Sequence, residues 1–135
     1  MDSNLDLSGI PVLIVDDDQT TRTFLDRILR RIGFDWIDQA EDGGSALEHV
    51  AATVPAVVFC DLHMTPVDGL TFLAKLRFSE TPGLKNLPVV MLTSDMRDQA
   101  IEMAKTLKAT DYLVKPATRI EVKAAAGKAL GIEIP

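Results

Sequence analysis

With 135 residues, the chain has room for one domain with a buried core and for no second domain of ordinary size. Hydrophobic residues make up 47% and charged residues 25%, a composition that folds rather than one that stays disordered. The net charge of -6 disfavours direct nucleic-acid binding, which draws its affinity from Lys and Arg on phosphates, so proteins are the expected partners.

A lone cysteine, Cys60, cannot form an internal disulfide, and the start Met1-Asp2-Ser3-Asn4 is acidic where a secretory signal would be basic and then apolar. The cytoplasm is the expected compartment. The apolar runs are far shorter than the roughly 20 residues of a membrane-spanning helix, so no membrane association is expected.

In chain order, a first apolar run, Val12 to Val15, ends in Asp16-Asp17-Asp18. Phe24, Leu25, Ile28, Leu29 and Ile32 then recur at helical spacing. A second run, Trp36 to Ala40, alternates in polarity and suits a sheet edge. Ala46, Leu47, Val50 and Ala51 form the next helical stripe. A third run, Ala56 to Cys60, is continuously apolar and stops at Asp61. Leu70, Leu73 and Leu76 make a third stripe, and the run Val89 to Leu92 ends in Thr93-Ser94. Ala100, Met103, Ala104 and Leu107 make a fourth stripe. The run Tyr112 to Val114 stops at Lys115-Pro116, and an Ala-rich segment, Ile120 to Leu130, closes with Gly131.

Strands alternating with helices imply right-handed crossovers and a parallel sheet covered on both faces: an α/β three-layer sandwich with five strands and five helices. In such sheets the working site lies outside the carboxyl ends of the strands. The polar residues that end the runs are therefore the candidate site. Acids ending the first and third strands, if those pair, sit about 4.8 Å apart and need a cation between them. Mg2+ accepts one or two protein carboxylates and keeps places for water and a phosphoryl oxygen, so Asp16, Asp17 and Asp61 are assigned to it. Asp61 can then act as a nucleophile in phosphoryl transfer, with Lys115 and Thr93 stabilising the oxygens of the transferred group.

These residues also carry a family resemblance. Ile14-Val15-Asp16-Asp17, Asp61 followed by Met64-Thr65-Pro66-Val67-Asp68-Gly69, Leu92-Thr93-Ser94 and Asp111-Tyr112-Leu113-Val114-Lys115-Pro116 stand in the order and spacing of a response-regulator receiver domain. The chain resembles the single-domain chemotaxis-regulator type from about Pro11 to Leu130. The resemblance implies the flavodoxin-like strand order 2-1-3-4-5, for which a receiver protein is itself a standard example. It implies one receiver domain over 1–135, core about 11–130, without an output domain. Asp61 becomes the phospho-acceptor, Asp16 and Asp17 the acidic pair, and Lys115 the invariant lysine. Thr93 and Tyr112 become the switch pair, and the backbone carbonyl of His63 becomes a further Mg2+ ligand. The implied partners are a histidine kinase or histidine phosphotransfer protein upstream and a target protein downstream. A cis Lys115–Pro116 bond is expected on the same ground.

Three positions depart from the family pattern. Thr65 separates Met64 from Pro66, Ala117 stands where an aromatic is common, and Lys108-Ala109 replaces Gly-Ala before the fifth strand. His63 lines the access to the site, where its imidazole could also tune hydrolysis; Asp18 reads as a capping or solvated acid, and Cys60 as a small buried hydrophobe. Two other readings stand beside this one. A haloacid-dehalogenase-type phosphatase shares the Asp, Thr and Lys but carries a second acid two residues after its nucleophile, where this chain has His63. A receiver that has lost phosphorylation would lack one of the acids or the lysine.

Overall fold

The structure is a computed structural model and describes residues 5–135. The acidic start, Met1-Asp2-Ser3-Asn4, lies outside the described residues. Five strands, β1 (Pro11–Val15), β2 (Trp36–Ala40), β3 (Val57–Asp61), β4 (Val89–Thr93) and β5 (Asp111–Val114), alternate with α1 (Gln19–Ile32), α2 (Gly43–Ala52), α3 (Gly69–Arg77), α4 (Ala100–Thr106) and α5 (Arg119–Leu130). All strand pairs are parallel and the sheet order is β2-β1-β3-β4-β5. The three inner strands are the continuously apolar runs, and the alternating run is an edge, as its pattern required.

Side chains leave each strand on opposite faces, so one strand feeds two cores. Leu13 and Val15 point to the layer of Ala46 and Val50 from α2, Phe72, Leu73 and Leu76 from α3, and Ile101 and Ala104 from α4. Val12 and Ile14 point to the other layer, with Leu25, Ile28 and Leu29 from α1 and Val122, Ala125 and Ala126 from α5. Ala125 and Ala126 of α5 are buried, and their small side chains let that helix lie close to the sheet.

Local chemistry sets the helix starts. Asp18 caps α1, its carboxylate accepting the Thr20 amide at 3.0 Å and the Thr21 hydroxyl at 3.0 Å. Asp42 caps α2 and Asp68 caps α3 in the same way, while Thr118 and Glu121 form a reciprocal box at α5. Gly131 ends α5 in the left-handed conformation.

Three stripe residues depart from expectation. Phe24 on α1 and Met103 on α4 are exposed, at 49% and 53%, and Ala51 on α2 is exposed too, because the apolar arc of each helix is wider than the surface its neighbours cover. The turn before β5 keeps the shape a glycine would take: Lys108 adopts φ 60°. Its carbonyl accepts Arg77 Nη2 at 3.1 Å, and the same guanidinium reaches the carbonyls of Leu107, Leu87 and Lys85. Arg77 thus fastens the end of α3 to the turns on either side of it. The Lys115–Pro116 bond is cis as expected, and Thr65–Pro66 is cis as well.

Candidate functional site

The sheet register builds the site. Val15 pairs with Cys60, so Asp16 and Asp61 follow side by side as the two strands end. Asp61 pairs with Leu92 and Thr93 with Val114, which brings Thr93 and Lys115 to the same edge. Lys115 continues the ladder by donating its amide to the Thr93 carbonyl at 2.8 Å. Four positions far apart in the chain therefore meet through strand order alone.

One carboxylate oxygen from each of Asp16, Asp17 and Asp61 lies within 4.8 Å of the others. Asp16 and Asp61 are buried and Asp17 is exposed at the mouth. Lys115 Nζ stands 3.3 Å from Asp16 and 3.4 Å from Asp61, bridging the two buried acids. Burial pushes the Asp61 carboxyl above its ordinary value, the Asp16 charge adds to the rise, and Lys115 opposes it. Burial alone would lower the Lys115 ammonium, but Asp61 and Asp16 outweigh it and raise it above the usual lysine value. The ammonium stays charged, yet it offsets one negative charge among three carboxylates. A small cation with hard-oxygen preference fits this donor set.

The surroundings hold the acids in place. The Asp18 amide donates to Asp16 at 2.9 Å. Arg22, a residue that sequence reading passed over, donates from Nη1 to the Asp16 carbonyl at 2.7 Å and from Nε to Gln39 at 3.0 Å. It lies six residues after Asp16 on the first turns of α1, and nothing in its own neighbourhood of sequence marks that bond. The His63 amide donates to Asp61 at 3.3 Å. Gly69 allows α3 to start directly beneath β3, since a Cβ there would collide with the Asp61 carbonyl oxygen.

Thr93 is buried, and its hydroxyl is engaged with its own loop, donating to the Asp95 carbonyl at 3.1 Å and accepting the Asp95 amide at 3.2 Å. Tyr112 is half-buried against the α2–α3–α4 layer. The His63 imidazole bonds the carboxylate of Asp98, a second residue that sequence reading did not single out. Cys60 is fully buried and its thiol is pushed well above its ordinary value, chiefly by burial, which leaves it inert packing. Beside Lys115, a cavity of about 430 Å³ opens between α1 and the β5–α5 turn, lined by Phe24, Leu25, Leu92, Pro116 and Ala117 among others. The small Ala117 side chain lines it where the family commonly places an aromatic.

The family model for the response regulator receiver domain matches residues 12–126. The chain belongs to that family. Receiver domains serve two-component signalling, are phosphorylated on an aspartate, and bind Mg2+ in the acidic pocket; they are signalling domains rather than enzymes acting on a separate metabolite. The chain is 34% identical over 108 residues to the CAI-1 autoinducer sensor kinase/phosphatase CqsS of Vibrio cholerae, matching 80% of this chain and 16% of CqsS. It is 33% identical over 115 residues to the chemotaxis protein CheY-3 of Vibrio cholerae, matching 85% of this chain and 87% of that protein. A crystal structure of a response regulator from Chloroflexus aurantiacus superposes with a TM-score of 0.82 at 31% identity, covering 90% of this chain and 98% of the other. The receiver domain of the sensor histidine kinase PA1611 from Pseudomonas aeruginosa, solved with magnesium coordinated in its cleft, shares the fold at 22% identity. Its TM-score is 0.83, with 92% of this chain and 99% of that chain covered. Among the described residues, no helix is long and apolar enough to cross a membrane.

Proposed function

We propose that the chain acts as a response-regulator receiver unit, with its core at about 11–130, that accepts a phosphoryl group on Asp61. The observation that carries this reading is the cluster of three carboxylates, the two buried ones bridged by Lys115. Asp61 is the acceptor in this reading because it ends the central strand β3, between Asp16 at the end of β1 and Thr93 at the end of β4, with Lys115 at 3.4 Å. The match to CheY-3, over 87% of that protein, supports the receiver reading.

Asp16, Asp17, Asp61 and the His63 carbonyl would hold Mg2+, which supplies charge neutralisation for both the acids and an incoming phosphoryl oxygen. The chain's own residues do the rest. An Asp61 oxygen attacks phosphorus in line with the leaving nitrogen of a phosphohistidine; the P–O bond forms, the P–N bond breaks, and the imidazole keeps the electron pair and takes a proton. Lys115 stands ready for one oxygen of the transferred group, and the Thr93 hydroxyl for another once it leaves Asp95. Hydrolysis of the resulting acyl phosphate by the domain itself resets Asp61. A histidine kinase or phosphotransfer protein supplies the group, a protein target reads it, neither nucleic acid nor membrane takes part, and the cytoplasm is the compartment.

The test is intact mass after incubation with Mg2+ and acetyl phosphate. Wild type gains one phosphoryl unit, Asp61→Asn gains none, and Asp17→Ala requires a much higher Mg2+ concentration for the same gain. An Asp61→Asn protein that still takes the group refutes the assignment, and an unchanged metal requirement in Asp17→Ala shows that other acids hold the ion.

A further inference from the structure

The bond between His63 and Asp98 joins two loops that nothing else described at the mouth of the site holds together through side chains. His63 lies two residues after Asp61 on the β3–α3 loop, and its amide is already bonded to the Asp61 carboxylate at 3.3 Å. Asp98 lies five residues after Thr93 on the β4–α4 loop. Its two carboxylate oxygens have separate tasks: Oδ1 accepts the Ala100 amide at 2.9 Å at the start of α4, and Oδ2 meets the His63 imidazole. The Asp98 amide in turn donates to the Asp95 carbonyl at 3.1 Å, the same oxygen that accepts the Thr93 hydroxyl. A chain of hydrogen bonds therefore runs from Asp61 through His63, Asp98 and Asp95 to Thr93, closing over the gap between the ends of β3 and β4.

Each link has a partner that fixes it. Asp98 is mostly covered, with 24% of its side chain exposed, whereas His63 stands 65% exposed. Without that bond the imidazole would turn freely in solvent; the Asp98 carboxylate determines where it stands. The His63 bond, ahead of the Ala100 amide, also holds the Asp98 carboxyl below its ordinary value.

We propose that Asp98 is a positioning residue that, through His63, sets the lifetime of the phosphoryl group. The inference rests on Asp61 being the acceptor. In hydrolysis a water oxygen attacks phosphorus, the bond from phosphorus to the Asp61 oxygen breaks, and the electron pair returns to the carboxylate while the water gives up its proton to solvent. That water must reach phosphorus from the open side, opposite the Asp61 oxygen. With the imidazole braced across the mouth, the approach is narrowed; with the brace gone, both loops and the side chain are free to move aside.

The substitutions separate this role from a merely structural one. Asp98→Ser keeps an oxygen for the Ala100 amide and is too short to reach His63. Asp98→Asn keeps an acceptor oxygen for the Ala100 amide and turns a donor Nδ2 toward the imidazole, whose neutral ring nitrogen accepts it. His63→Ala removes the imidazole and keeps the backbone carbonyl. Each protein is phosphorylated with Mg2+ and acetyl phosphate, the donor is removed, and the loss of the phosphoryl group is followed by intact mass. Asp98→Ser and His63→Ala shorten the half-life about three- to tenfold, their double variant shortens it no further, and Asp98→Asn retains most of the wild-type lifetime. The melting temperature of Asp98→Ser stays at that of wild type. Unchanged half-lives in the single variants, or effects that multiply in the double variant, overturn the proposal alone. A wild-type chain that never gains the group overturns the acceptor reading, and this proposal with it.

Discussion

Asp61, the proposed acceptor, illustrates how a buried carboxylate costs the fold something. Its folded carboxyl titrates above the unfolded value, first because it is buried and next because Asp16 stands beside it. Between the unfolded and folded values the native state holds the extra proton, so stability declines as pH rises through that window, and the full penalty remains above it. Asp61→Asn keeps the shape and removes the charge. At pH 7 and without Mg2+, its melting temperature is expected to exceed that of wild type by a few degrees, and the gap should close as the pH falls below about 4, where the unfolded carboxyl is protonated too. Saturating Mg2+ should raise wild type more than the variant. Thermal melts at the two pH values decide it; a variant no more stable than wild type at pH 7 would mean that Lys115 already neutralises the acceptor.

At the scale of elements, the turn between α4 and β5 carries the clearest local conflict between sequence and shape. Lys108 sits at φ 60°, where an L side chain crowds its own carbonyl at a cost of about 1 kcal/mol. Lys108→Gly relieves that crowding while giving the unfolded chain more freedom, for a net gain of about 0.5 kcal/mol and roughly 2 °C in melting temperature. A urea or thermal melt that shows a loss instead would mean that the lysine stem makes a contact worth more than the strain. The sequence placed all ten elements, the inner and edge strands, and the acids, hydroxyl and lysine at the strand ends, because periodicity and strand-end chemistry are local signals. What it left hidden depends on distant pairing. Arg77 reads as an ordinary basic residue near a helix end, and only the folded chain shows it gathering carbonyls thirty residues away. The bond from His63 to Asp98 spans 35 positions, and Phe24 and Met103 look like core until the packing of neighbours is known.

For the whole molecule, the remaining step is how a charge at one edge of the sheet becomes a signal on its surface. Under the proposed function, phosphorylation of Asp61 adds roughly 1.5 to 2 negative charges beside Lys115. The Thr93 hydroxyl, now spent within its own loop on Asp95, gains a stronger acceptor by turning toward the phosphoryl oxygens. On that reading the turn would draw in the loop leading to α4 and vacate space beside β5, into which the half-buried Tyr112 ring would swing inward. A partner that prefers the inward ring then favours the phosphorylated state, and the phosphoryl group favours the partner by the same factor. Because the chain contains one tyrosine, its ring signals in an NMR spectrum report this movement without ambiguity. Adding acetyl phosphate and Mg2+ should shift those signals in wild type. In Thr93→Ala the shift should be largely lost even while intact mass shows the phosphoryl group on the protein. A phosphorylated Thr93→Ala chain whose tyrosine signals still move as far as those of wild type would place the switch elsewhere, with the bond between His63 and Asp98 as the next link to break.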